Sequence, residues 1–194
     1  MDMSHDPPLD APGAGLPWLE LKIARFMVSR ALKKHSRADF DQKFRAQRVA
    51  IRNAVAEIPL ARRGERVLIP RLRGLEDSSR FWSAWMTLDH LRICNEAFAG
   101  IITTLASGQV PPGVASTADV KPSPEVGPEI EERYEASCDA FLSASAAVPN
   151  LATAEKFRHP WFGPLDAAGW HALGGAHMRI HHGQIVRIAD ALRR

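Results

Sequence analysis

Between Phe40 and Ile58 the large apolar side chains recur every three or four residues: Phe40, Phe44, Ile51, Val55 and Ile58, with Gln47 as the polar member of the row. An α-helix places that spacing on one face, so the stretch predicts a helix over 38–57 with a buried stripe. Ser36 suits its N-cap, and Asp39 three residues later fits a capping box. Further long helices are expected over 18–34 after Pro17, over 78–106 ending at Gly108, over 128–147, and from an Asp166 cap toward Leu192. Glu129, Glu131 and Glu132 sit in the first turn of the helix opened by Pro128, where negative charge is favoured. Apart from a short extended piece at Val67–Ile69, no convincing strand set accompanies them. The chain is therefore expected to be all-α: an antiparallel four-helix bundle over 37–194, an additional N-terminal helix over 17–36, and long connecting loops. Residues 1–16, acidic and rich in Pro and Gly, read as a disordered tail. There is no internal repeat.

The length of 194 residues suits one domain with a sizeable core. Apolar residues at 45% and charged residues at 24% exclude a chain disordered throughout. Two cysteines, Cys94 and Cys138, without a CxxC pair exclude a cysteine-rich zinc module and a disulfide scaffold. The N-terminus lacks a signal-peptide pattern, and no apolar run approaches the roughly 18 residues of a membrane span. A cytoplasmic location is expected.

Two basic regions were weighed as binding surfaces. The helix over 17–36 is amphipathic, with apolar Trp18, Leu21, Phe26 and Leu32 and basic Lys22, Arg25, Arg30, Lys33 and Lys34. Its apolar positions spread around the axis, so a helix packed on the domain is preferred over a membrane-surface anchor. The segment Leu60–Arg80 holds six arginines: Arg62, Arg63, Arg66, Arg71, Arg73 and Arg80. They could hold phosphate or carboxylate groups; a solvated loop pairing with acidic neighbours is the preferred reading. With a net charge of only +3 and no recognisable reading motif, nucleic acid and membranes are not expected partners.

The stretch "GAHMRIHHGQI", Gly175–Ile185, places three of the chain's eight histidines within six residues. Positions four apart on a helix differ by about 40°, so His177 and His181 share a face one turn apart. His182 points about 100° away from His181. The expected inward stripe of Trp170, Leu173, His177, Ile180, Gln184, Ile188 and Leu192 includes His177 and has His181 at its border. Two imidazoles one turn apart can chelate one ion, as in HExxH helices, but HMRIH lacks the glutamate base of those proteases. A lone HxxxH also arises by chance, and buried imidazoles are often satisfied by hydrogen bonds. His90, in the apolar run "WMTLDHLRIC", is by itself ordinarily a bonded core residue. Facing the pair, it would complete a three-histidine site with open coordination positions. Cys94, one turn after His90, reads as a packing thiol that could approach the same cavity. Gln47 either bonds a neighbour or faces a polar cavity. Glu-x-x-His, Walker A, GxGxxG and GxSxG patterns are all absent from the sequence.

An internal histidine on the second bundle helix together with "HMRIHHGQI" on the last resembles the DinB-like superfamily. Those proteins are four-helix bundles whose terminal helix often carries His-x-x-x-His-x-Gly-Gln-Ile. "HPWFGPLDAAGW" also resembles the lead-in to that helix in one branch, and the resemblance spans roughly Phe40 to the C-terminus. It implies that His90, His177 and His181 are metal ligands and that Gln184 orients one of them. His182 stands where the family commonly has Arg, so it is kept at most as a pocket residue, and His159 is a candidate for the pocket mouth. Family members include thiol-dependent transferases and isomerases using low-molecular-weight bacterial thiols, and others described as metal-dependent hydrolases. The resemblance thus implies a divalent-metal-dependent enzyme, a thiol-dependent transferase or hydrolase with an open coordination position. Zinc or nickel is favoured, with manganese or iron next, a low-molecular-weight thiol as candidate cofactor, a small-molecule substrate and a homodimer. Arg71 and Arg73 are the candidate anchors for an anionic thiol. The alternative is a non-catalytic, metal-stabilised bundle acting as a dimeric stress or regulatory protein.

Overall fold

The computed structural model describes residues 6–194, dominated by α1 (Trp18–Lys34), α2 (Arg37–Ala56), α3 (Ala84–Ala106), α4 (Ile130–Ala147) and α5 (Ala167–Leu192). The stripe expected on α2 is buried at Phe40, Phe44, Ile51 and Val55. Ser36 and Asp39 form the reciprocal capping box, with Ser36 N donating to Asp39 Oδ2 at 2.8 Å and Asp39 N to Ser36 Oγ at 3.3 Å. Asp166 caps α5 by accepting from Gly169 N at 2.8 Å.

The start of α3 differs from the expectation. Residues Asp77–Ser79 form a single 3-10 turn, and β2 (Phe81–Trp82) pairs antiparallel with β1 (Val67–Leu68) before Ser83 caps the helix through Met86 N. The aromatic pair Phe81–Trp82 suits a helix or a strand, and a distant partner decides between them. A second small ladder, β3 (Phe157–His159) with β4 (Gly163–Leu165), precedes α5. Gly163, at φ +76°, makes the backbone turn there that side chains disfavour.

Contacts along the helices fix their directions. Phe40 meets His171, and Gly175 approaches the Phe44 backbone, so α2 and α5 run parallel. Trp85 bonds Glu131 and Asn95 bonds Ser137, so α3 and α4 also run parallel. The antiparallel pairings are α3 with α5, through Phe98–Trp170 and His90–His181, and α2 with α4, through Arg37–Val148 and Arg48–Glu135. A parallel α3–α4 pair requires the chain to travel back along the bundle, which is what the long 107–129 crossover does. Helix α5 lies deepest. A Cβ at Gly174 would sit 2.6 Å from the Phe141 ring, so only glycine permits that approach.

Helix α1 lies on the outside and buries no residue. It is tied down by Glu20, which accepts from Arg71 and Gly74 N, and by Arg25 Nε, which donates to Trp161 O at 2.6 Å. Of the segment expected as a tail, residues 1–5 lie outside the described residues. Residues 6–16 have no helix or strand, but Asp10 N donates to Asp77 Oδ2 and Asp6 pairs with Arg66. No helix among the described residues is long and apolar enough to cross a membrane.

Candidate metal centre

His90 from the first half of α3 meets His177 and His181 from the middle of α5. Ring centroids lie 4.5 Å apart for His90–His181, 4.6 Å for His177–His181 and 5.0 Å for His90–His177. One nitrogen from each ring lies within 4.8 Å of the other two. Because α3 and α5 are antiparallel neighbours, one turn of α5 presents both its histidines to the single one on α3. Their depth reverses the expected order: His181 is buried at 4% exposure, whereas His177 keeps an edge at the surface. Met178, between them in sequence, fills the core instead.

Hydrogen bonds determine which nitrogen each ring offers. His90 Nδ1 lies 2.6 Å from Val120 O, a carbonyl that only accepts, so this nitrogen carries the proton and Nε2 keeps its lone pair. Gln184 Nε2 donates to Ser79 O at 2.7 Å, which turns Gln184 Oε1 toward His181 Nδ1 at 2.6 Å. His181 is thereby also protonated on Nδ1 and free on Nε2. His177 Nε2 faces His90 Nε2 at 3.1 Å, while its Nδ1 is buried without a partner. Two imidazole nitrogens bound tetrahedrally at about 2.0–2.1 Å from zinc are about 3.3 Å apart, so the separation fits a shared ion.

Electrostatics hold these rings neutral, the form that binds metal. Burial pushes His90 down to about 4 and His177 and His181 well below 6.5, and Lys121 adds to this at His90 and His181. The surroundings are apolar. Trp82 stacks on His181 at 6.2 Å and tilts over His90 at 5.2 Å, and Phe98 borders His177.

The two orienting carbonyls are held by one buried ion pair. Lys121 Nζ donates to Glu76 Oε2 at 2.7 Å, Ser78 Oγ at 3.0 Å and Ser79 Oγ at 3.1 Å. Thr117 Oγ1 donates to Glu76 Oε1 at 2.8 Å. The crossover, which carries Val120, is thus clamped to the turn that carries Ser79. Glu76, Trp82, Val120 and Lys121 were not anticipated from the sequence. No local signal marks them, since their role depends on where two irregular segments meet.

The other candidates divide. Gln184 touches the cluster directly. Cys94 Sγ lies 3.8 and 3.9 Å from the two His90 nitrogens, against the ring, and burial pushes its thiol up to about 12. It packs as a thiol. His159 accepts from Trp161 N and sits among Phe162 and Trp170, with burial lowering its pKa to about 4. It neighbours His177 closely enough to influence its charge but is not in the metal-capable group. His182 makes no ring contact or hydrogen bond among the described residues. Gln47 Oε1 is buried and has no hydrogen-bond partner, and Gln47 is not in the metal-capable group. Arg71 is engaged by Glu20, Leu72 O and Leu75 O, and Arg73 is exposed; neither contacts the histidines.

Comparison with known proteins agrees with the fold. The family model of the DinB superfamily matches residues 20–185. The chain belongs to the DinB superfamily. A solved structure described as TT2238, a four-helix bundle protein, superposes with a TM-score of 0.56 over 81% of this chain and 98% of that one. At 16% identity that likeness bears on the fold alone. Among curated proteins, none matches the sequence. Both comparisons agree with a helical bundle, and the family match begins inside α1, N-terminal to the bundle.

Proposed function

We propose that this DinB-superfamily chain holds one divalent ion, zinc or nickel, on His90, His177 and His181, and acts as a thiol-dependent transferase or hydrolase on a small molecule. The observation that carries the reading is the convergence of one nitrogen each from His90, His177 and His181 within 4.8 Å, with Val120 O and Gln184 Oε1 taking the Nδ1 protons of His90 and His181 so that their Nε2 atoms keep lone pairs. A divalent ion held there would supply a Lewis acid that lowers the pKa of a thiol or water beside the histidines. Three protein ligands leave room for such a molecule.

The chain's own residues supply the setting. Trp82 and Phe98 limit water around the imidazoles. Lys121, paired with Glu76, lies close enough to add to the lowering of the His90 and His181 pKa values and so helps keep both rings neutral. No carboxylate contacts the three rings among the described residues, so a bound anion meets no opposing charge there.

Cobalt-substituted protein tests the open position. Adding cysteine or 2-mercaptoethanol should produce a sulfur-to-cobalt charge-transfer band that His177→Ala abolishes. A cobalt spectrum indifferent to thiols and to pH alike would assign the site to the non-catalytic, metal-stabilised bundle.

A further inference from the structure

The outward face of α1 carries exposed apolar and basic side chains that take no part in the histidine cluster. In sequence its apolar residues looked scattered, but packing sorts them. Leu21, Ala24, Val28, Ala31 and Leu32 turn toward the body and are half-buried. What remains on the outer half is Trp18, Leu19, Ile23, Phe26 and Met27, at 69, 54, 53, 68 and 56% exposure. A helix exposing five large apolar side chains is not at rest in water.

The charges on the same face are all of one sign. Lys22, Arg30, Lys33 and Lys34 are exposed, and none pairs with a carboxylate among the described residues. The helix's acidic residue, Glu20, is turned inward to Arg71. At the C-terminal end, Phe26, Ser29, Arg30, Lys33 and Lys34 line a shallow concavity. Cations and a hydroxyl around an opening beside an apolar stripe match a phosphate headgroup next to its acyl chains. A second copy of this face would bring four cations against four cations, so self-pairing of α1 is disfavoured.

We propose that α1 docks the protein onto an anionic phospholipid surface, inserting Trp18, Leu19, Ile23, Phe26 and Met27 while Lys22, Arg30, Lys33 and Lys34 meet headgroup phosphates. The full chain should co-sediment with phosphatidylcholine vesicles containing phosphatidylglycerol and not with phosphatidylcholine alone, and added salt should release it. The double variant Lys33→Glu, Lys34→Glu should lower partitioning more than about 25-fold, at about fivefold per cation removed. Phe26→Asp should lower it as well. These side chains are exposed, so circular dichroism should be unchanged in every variant. Binding indifferent to phosphatidylglycerol, or retained in the variants, overturns the proposal. So does a dimer that Phe26→Asp converts to monomer in sedimentation equilibrium, which would assign the face to a second copy of the chain.

Discussion

The arginine-rich connection between α2 and α3 and the histidine cluster between α3 and α5 are two places where this chain concentrates nitrogen-bearing side chains. In the connection the guanidinium groups are engaged. Arg62 pairs with Glu65, Arg63 with Glu131, Arg66 with Asp6, Arg71 with Glu20 and Arg80 with Asp77, and most also donate to a backbone carbonyl. Of the six arginines there, only Arg73 is exposed without a partner among the described residues. The histidines are the reverse: neutral, with His90 and His181 buried and His177 half-buried, and with one nitrogen of each ring within 4.8 Å of the other two. Six arginines look more like a binding site than three histidines do. What distinguishes them is bonding capacity left unused, which density along the sequence does not report.

The largest expected effect separates the two regions outright. His90→Ala or His177→Ala should abolish metal binding, while Arg71→Ala and Arg73→Ala should retain it, as read by competition with a chromophoric chelator. Retention of acidic-thiol binding in the arginine variants would remove them as thiol anchors.

The Glu76–Lys121 pair comes next, because it joins the two loops on which the histidines depend. Glu76→Ala leaves Lys121 partly buried without its counter-ion and should cost about 3 kcal/mol in denaturant unfolding. Burial alone would raise the Glu76 pKa, but hydrogen bonds from Lys121 and Thr117 outweigh it and hold the carboxyl below 4.5. A carboxyl depressed in the folded state favours folding above pH 4.5, and the contribution fades as pH falls through its folded value. The wild type should therefore lose more melting temperature below pH 4.5 than Glu76→Gln does.

Gln184→Leu should keep the fold and weaken zinc binding about 10- to 100-fold, since the His181 ring loses the oxygen that orients it. Unchanged affinity would mean that packing by Trp82 suffices. The smallest effect is expected at Arg71→Ala, about 1 kcal/mol or less, with α1 loosened and metal affinity untouched. Hydrogen exchange on α1 would register it.

Much of this was legible because helices write themselves into local spacing. The α2 stripe, its Ser36–Asp39 box, the Asp166 cap and the bounds of α1 follow from neighbours within four residues. His177 and His181 share a face by the same period, whereas His90, ordinarily a core histidine in such an apolar run, joins them through the family resemblance. The rest depends on contacts between distant segments. Phe81–Trp82 becomes a strand because Val67–Leu68 lies beside it, which shortens α3 to begin at Ala84. Val120 and Lys121 sit in a Pro-rich crossover without periodicity, yet that crossover sets a histidine tautomer. The outer face of α1 emerged only once packing had claimed its inner half.

The most direct test of the account is the metal content of the purified full chain, measured by elemental analysis beside His181→Ala after incubation of both with zinc or nickel. The account predicts about one ion per chain in the wild type and a loss of it in the variant, with circular dichroism unchanged. Wild type free of metal after such incubation, or a variant that binds as much, would contradict it and leave the three histidines as core packing.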